Sequence, residues 1–227
     1  MPTINVNRQG TGTGTISSNF NTARTSNAAS VVDSVTGTQN NVVQYFKSSG
    51  RGGGTIRFKR VFLHFDTSTI TGTLSAAHID VNLGTQAMGD PNDTIMVKST
   101  AFGGDGGTAL ATTDFFSSID YSTAYSTELS SPSTGNNEYT LTSAALTDIK
   151  NNDNFTLAIV EHDNDFSNSD GGDQAADINI AFGTTITLDY TLATVAYDEK
   201  VLSIDPADVA KVNGVVFSEI GKVIGVS

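Results

Sequence analysis

Apolar and polar residues alternate with a period of two along much of this chain, and that spacing predicts β-structure. Ile79, Val81 and Leu83 alternate with His78, Asp80 and Asn82, which predicts a half-buried strand over residues 74–83 with one wet face. Ile56, Phe58 and the run Val61-Phe62-Leu63-His64-Phe65-Asp66 predict a stronger one. In that run Leu63 and Phe65 share one face, and Phe62, His64 and Asp66 share the other. Further strands are expected at residues 4–6, 42–46, 94–98, from 139 onward, 155–160, 178–182 and 186–192. Residues 10–15 alternate Gly with Thr and read as a flexible or edge segment, because Gly weakens strand interiors. Residues 50–54 and 89–93 read as turns, 103–137 as mostly loop, and 143–150 as a single helical turn. Strands at this spacing, without regularly alternating helices, predict an all-β fold: a two-sheet antiparallel β-sandwich of jelly-roll type with a short C-terminal extension. The sandwich is expected over residues 1–195 and the extension over 196–227.

Composition agrees. Only 16% of the 227 residues are charged, and Thr, Ser, Asn and Gly take the place of the missing charge. The net charge of −12 disfavours a nucleic-acid partner, because phosphate contacts need clustered cations. Arg51, Arg57, Lys59 and Arg60 come nearest to such a cluster, and a strand splits 57, 59 and 60 between its two faces. The absence of Cys excludes disulfides, zinc-thiolate sites and cysteine nucleophiles. Residues 1–14 hold no apolar core of a signal peptide, and no run approaches 18 apolar residues. Synthesis in a cytoplasm without a signal peptide, and no membrane insertion, are the expectations.

Catalytic chemistry finds little support, and no enzyme is expected. Neither a G-x-S-x-G elbow nor an H-E-x-x-H helix occurs around His64, His78 or His162. His64 and His78 read as strand residues facing outward or between sheets. Nineteen of the 24 acids are Asp, a turn residue as often as a catalytic one. The loop over residues 161–173 is rich in oxygen ligands, and Asp163, Asp165, Asp170 and Asp173 are its candidate calcium ligands. It lacks the EF-hand order, and a solvated acidic loop is the competing reading. Tyr121, Tyr125 and Tyr139 suit a sugar-stacking platform, or equally core and inter-subunit packing.

The character changes after Tyr197. Asp208-Val209-Ala210-Lys211-Val212-Asn213-Gly214-Val215 is echoed eleven residues later by Glu219-Ile220-Gly221-Lys222-Val223-Ile224-Gly225-Val226. Two copies are too few to bury a core by themselves, so Lys211, Val212, Val215, Lys222, Val223 and Val226 are expected to dock on a partner or on a second copy.

Two resemblances extend this reading. Val61-Phe62-Leu63-His64-Phe65-Asp66-Thr67-Ser68, Gly72, Ser75-Ala76-Ala77-His78-Ile79, Tyr139 to Ala144 and Ile186 to Tyr190 resemble the core pattern of DNRLRE-type jelly-roll domains over residues 40–192. That resemblance implies a carbohydrate-binding-module-like sandwich of surface and extracellular proteins, with structural calcium in some. The Lys211 to Val215 segment and its echo are similar to C-terminal repeats of tailed-phage virion proteins. This implies a virion location, other virion proteins as partners, and a homo-oligomer serving as capsid decoration, fibre, collar or tail-associated subunit. A glycan-binding adhesion module for host-surface attachment is the alternative.

Overall fold

The computed structural model describes residues 1–34, 41–49, 54–84, 93–172, 174–180, 186–193, 211–212 and 215–216. The chain divides into two compact units, Met1–Ala193 and Thr194–Ser227. The first is an all-β sandwich of two antiparallel sheets packed together. Its elements are β1 (Thr3–Asn5), β2 (Arg8–Gly14), α1 (Phe20–Thr25), β3 (Ala28–Ser34), β4 (Asn41–Ser48), β5 (Thr55–Asp66) and β6 (Leu74–Leu83). Then follow β7 (Thr94–Ser99), α2 (Asp114–Ser117), β8 (Ile119–Ala124), β9 (Gly135–Thr140), α3 (Ser143–Asn151), β10 (Asn154–Glu161), a π-helical turn at His162–Phe166, β11 (Gln174–Ile180) and β12 (Thr187–Leu192). In the second unit β13 (Lys211–Val212) pairs with β14 (Val215–Val216).

One layer runs β3-β2-β5-β10-β7-β8 and the other β9-β6-β12-β1. β4 and β11 join them. β4 pairs with the first half of β5 and along its length with β11, which meets β6 at Ile180 and Leu83. The long β5 is the pivot: one edge carries β2 against Lys59 to His64, and the other carries β4 and then β10.

Between the layers, Leu63, Phe65, Met96, Leu157 and Ile159 face Ile79, Val81, Leu83, Tyr139 and Leu188. The alternation of β6 therefore has its expected consequence, with His78, Asp80 and Asn82 on the opposite, wetter face. β10 differs, because both its faces are buried. Ala158 and Val160 join Phe62, Ile95 and Val97 beneath Ala101, Phe102, Leu110 and Ile119. That double burial explains why residues 155–160 form a nearly continuous apolar run. A third cluster seats Phe20 and Ala23 of α1 on Tyr45, Ile56, Phe58 and Phe115. Asn19 caps α1 by accepting from the Thr22 amide at 2.9 Å.

Two expectations are corrected. The Gly/Thr segment is not an edge. β2 is an interior strand between β3 and β5, and its glycines are what permit this. A Cβ on Gly12 or Gly14 would come within 2.7 Å of the Phe115 ring, so the alternating glycines let that ring lie on the strand. Residues 103–137 are mostly loop, as expected, with α2, β8 and the start of β9 set into them. Residues 143–150 form more than one turn: α3 is nine residues long, is capped by the Thr142 side chain, and buries Ala145 and Ile149. Of the expected turns, residues 50–53 and 89–92 lie outside the described residues.

Candidate functional site

The most concentrated polar chemistry of the sandwich is buried. Arg60, on β5, is fully inaccessible, and Asp165, in the π-helical turn, is 1% exposed. Arg60 Nε donates to Asp165 Oδ2 at 2.7 Å and Nη2 to Oδ1 at 2.8 Å, a two-pronged pair. The rest of the guanidinium donates to the carbonyls of Phe115 and Arg24. Arg24 Nε donates to the Asp165 carbonyl at 2.8 Å, and the Tyr121 hydroxyl donates to Oδ1 at 3.0 Å. Rings close the site: Phe115 lies 4.1 Å from the Arg60 guanidinium, and Tyr121 lies 4.3 Å from that of Arg24. Burial, the largest single effect, would lower the Arg60 pKa, but the Asp165 charge, Tyr121 and the hydrogen bond to Asp165 together more than offset it and the pKa rises. Burial likewise pushes the Tyr121 hydroxyl well above its ordinary value. Both Asp165 carboxylate oxygens accept and all three Arg60 guanidinium nitrogens donate, so this centre acts as a clamp that fixes the turn to β5 and α1. Arg60 belongs to no basic surface, in keeping with the split expected along the strand, and one sequence expectation changes: Asp165 is the counter-ion of an arginine.

Glu161 organises the turn from its first position. Its carboxylate accepts from the amides of Asp163, Asn164 and Asp165 at 2.8–3.0 Å, and from the Asn164 side chain at 3.0 Å. Burial outweighs these bonds and pushes its pKa up from 4.5 to about 7. The folded state therefore holds this proton more tightly than the unfolded chain. The stability it contributes is complete below about pH 4.5 and is lost as pH rises through about 7. The unfolding midpoint is expected to fall across that window in the wild type relative to Glu161→Gln. Parallel profiles for the two proteins would contradict the assignment.

The remaining candidate calcium ligands have separate partners. Asp163 accepts from His162 Nδ1 at 2.9 Å, and Asp170 pairs with Lys47 Nζ at 2.6 Å. Asp163, Asp165 and Asp170 do not converge on one point, and Asp173 lies outside the described residues. The tyrosines form no open platform either. Tyr125 is buried, stacks on Phe155 at 4.9 Å and donates to Asp148. Tyr139 is buried, and its hydroxyl meets Thr94 Oγ1 at 2.7 Å. Tyr121 belongs to the arginine centre. Of the histidines, His64 is buried between Asn7 and Asn154, while His78 and His162 are partly exposed beside carboxylates. A polar cleft of about 280 Å³ opens beside Lys98, Tyr125, Asp148, Asn152, Asn154 and Thr156.

In the second unit, Lys211 pairs with Val216 and Val212 with Val215. All six expected docking residues fall within the two echoes, and three of them, Lys211, Val212 and Val215, lie in this strand pair. Lys222, Val223 and Val226 lie outside the described residues. No family model matches the chain, and no curated protein matches it.

Proposed function

We propose that this protein is a structural component of a bacteriophage virion, acting through protein–protein assembly. The observation that carries the reading is the combination of a self-contained sandwich with a separate short unit. The sandwich buries its own core, and most of its carboxylates are engaged in turns and ion pairs. The second unit contributes a minimal strand pair from one copy of an eleven-residue echo. Such a strand pair suits backbone pairing with a partner, with valines supplying burial. Chains ending at residue 197 are expected to fold and to be lost from the assembled particle. Normal incorporation would contradict docking through the tail.

A glycan-binding reading has one observation in its favour, the cleft beside Tyr125. It is lined by hydroxyl, amide and carboxylate groups and is of a size to admit a sugar ring. Binding to a glycan array by the intact protein, lost in Asn152→Ala, would favour that reading.

A further inference from the structure

His78 and Asp80 stand two residues apart on β6 and share its outer face. The register sets Glu138 of β9 directly opposite Asp80, and Asp189 of β12 directly opposite His78. His78 Nε2 lies 4.0 Å from Asp80 Oδ2, 3.9 Å from Glu138 Oε2 and 3.9 Å from Asp189 Oδ2. One ligand atom from each of His78, Asp80 and Glu138 falls within 4.8 Å of the others, the single such group among the described residues.

Two features set this group apart from an ordinary acidic surface. First, the side chains of His78, Asp80 and Glu138 hydrogen-bond to no described residue. Elsewhere, carboxylates are engaged: Asp66 by Ser68, Asp120 by Ser122 and Thr123, and Asp148 by Lys98 and Tyr125. Second, Asp80 and Glu138 are like charges directly across a strand pair, an arrangement that destabilises a sheet unless a cation lies between them. Asp189, held by the Thr3 and Thr187 hydroxyls, faces the imidazole from the other side and adds a third negative charge.

We propose that His78, Asp80 and Glu138 bind a first-row divalent transition ion, with zinc as its representative. The imidazole decides the class. One nitrogen with two carboxylate oxygens suits zinc and its neighbours, whereas calcium and magnesium take oxygen ligands. Zinc holds such donors at about 2.0–2.2 Å, which places adjacent donors roughly 3.4 Å apart in a tetrahedron. The 3.9–4.0 Å separations close to that distance by small rotations, and the Glu138 side chain, 57% exposed, is free to make them. The strands fix the three Cα positions.

The test is calorimetric titration of zinc into the chelator-treated, full-length protein at neutral pH. One saturable site per chain is expected, weakened at least about tenfold in His78→Ala and in Glu138→Gln. His162→Ala, at the other partly exposed histidine, is expected to bind as the wild type does. All three positions are at the surface, and equal unfolding midpoints without metal establish that the variants are folded. Calcium, as a second probe, is expected to bind more weakly than zinc at this site. The proposal is overturned by the absence of saturable zinc binding at millimolar concentrations. It is equally overturned by binding that survives His78→Ala, that disappears in His162→Ala, or that prefers calcium.

Discussion

Asp165→Ala is expected to destabilise the sandwich by about 3–5 kcal/mol, read as a lower urea midpoint at unchanged slope. The carboxylate is 1% exposed, accepts from Arg60 and Tyr121, and lies 3.3 Å from Arg24 Nε. Its removal leaves the Arg60 guanidinium fully buried with no anion, and the Tyr121 hydroxyl loses its acceptor. The penalty comes from that stranded charge more than from the attraction lost. The double variant Arg60→Met with Asp165→Leu is therefore expected to recover much of the loss. A loss below about 1 kcal/mol in Asp165→Ala, the level of an exposed pair, would show that water reaches this centre.

Phe115→Ala is expected to cost about 3–5 kcal/mol, because the ring is fully buried and is shared by two parts of the fold. One side lies on the Arg60 guanidinium at 4.1 Å. The other lies on β2, where a Cβ on Gly12 would stand 2.7 Å from its Cδ2 atom. Gly12→Ala alone is accordingly expected to cost about 1–3 kcal/mol through overpacking. Gly12 does not have the positive φ that would penalise a side chain by itself. The penalty should thus shrink when Gly12→Ala is made in the Phe115→Ala background, a coupling that a double-mutant cycle measures directly. Additive losses would mean that the glycines serve some purpose other than admitting this ring.

The contrast between β6 and β2 shows what the chain made legible. In β6 the strict alternation of Ile79, Val81 and Leu83 with polar residues identified both the strand and its buried face, because one side meets the core and the other does not. In β2 the same period is written in Gly and Thr, which carry almost no hydrophobic signal. Its burial depends on Phe115, a residue about a hundred positions away, and no local pattern reports that. The arginine centre was hidden for the same reason. Arg60 and Asp165 are separated by 105 residues, so each reads locally as a surface charge. The acidic loop shows a subtler limit. Its oxygens suit calcium by count, yet Glu161 directs the backbone amides inward and Asn164 bonds the Gly171 amide, which shapes the loop from its own groups. The metal-ligating group at His78 was missed because only the first two members lie on one strand. Glu138 and Asp189 arrive through pairings that no short window contains. In the tail, the echo drew attention to a repeat, while Asn213-Gly214 flanked by valines already carried a hairpin signal.

The assembly reading rests on the second unit acting independently of the sandwich. The most direct measurement is competitive incorporation: full-length chain and a chain ending at residue 197 are produced together in infected cells, and their ratio is measured by mass spectrometry in purified particles and in the soluble fraction. The expected result is a soluble, folded truncated chain with an unchanged unfolding midpoint that is depleted from particles in which the full-length chain is present. Equal ratios in particles and soluble fraction, or absence of both chains from the particles, would contradict it.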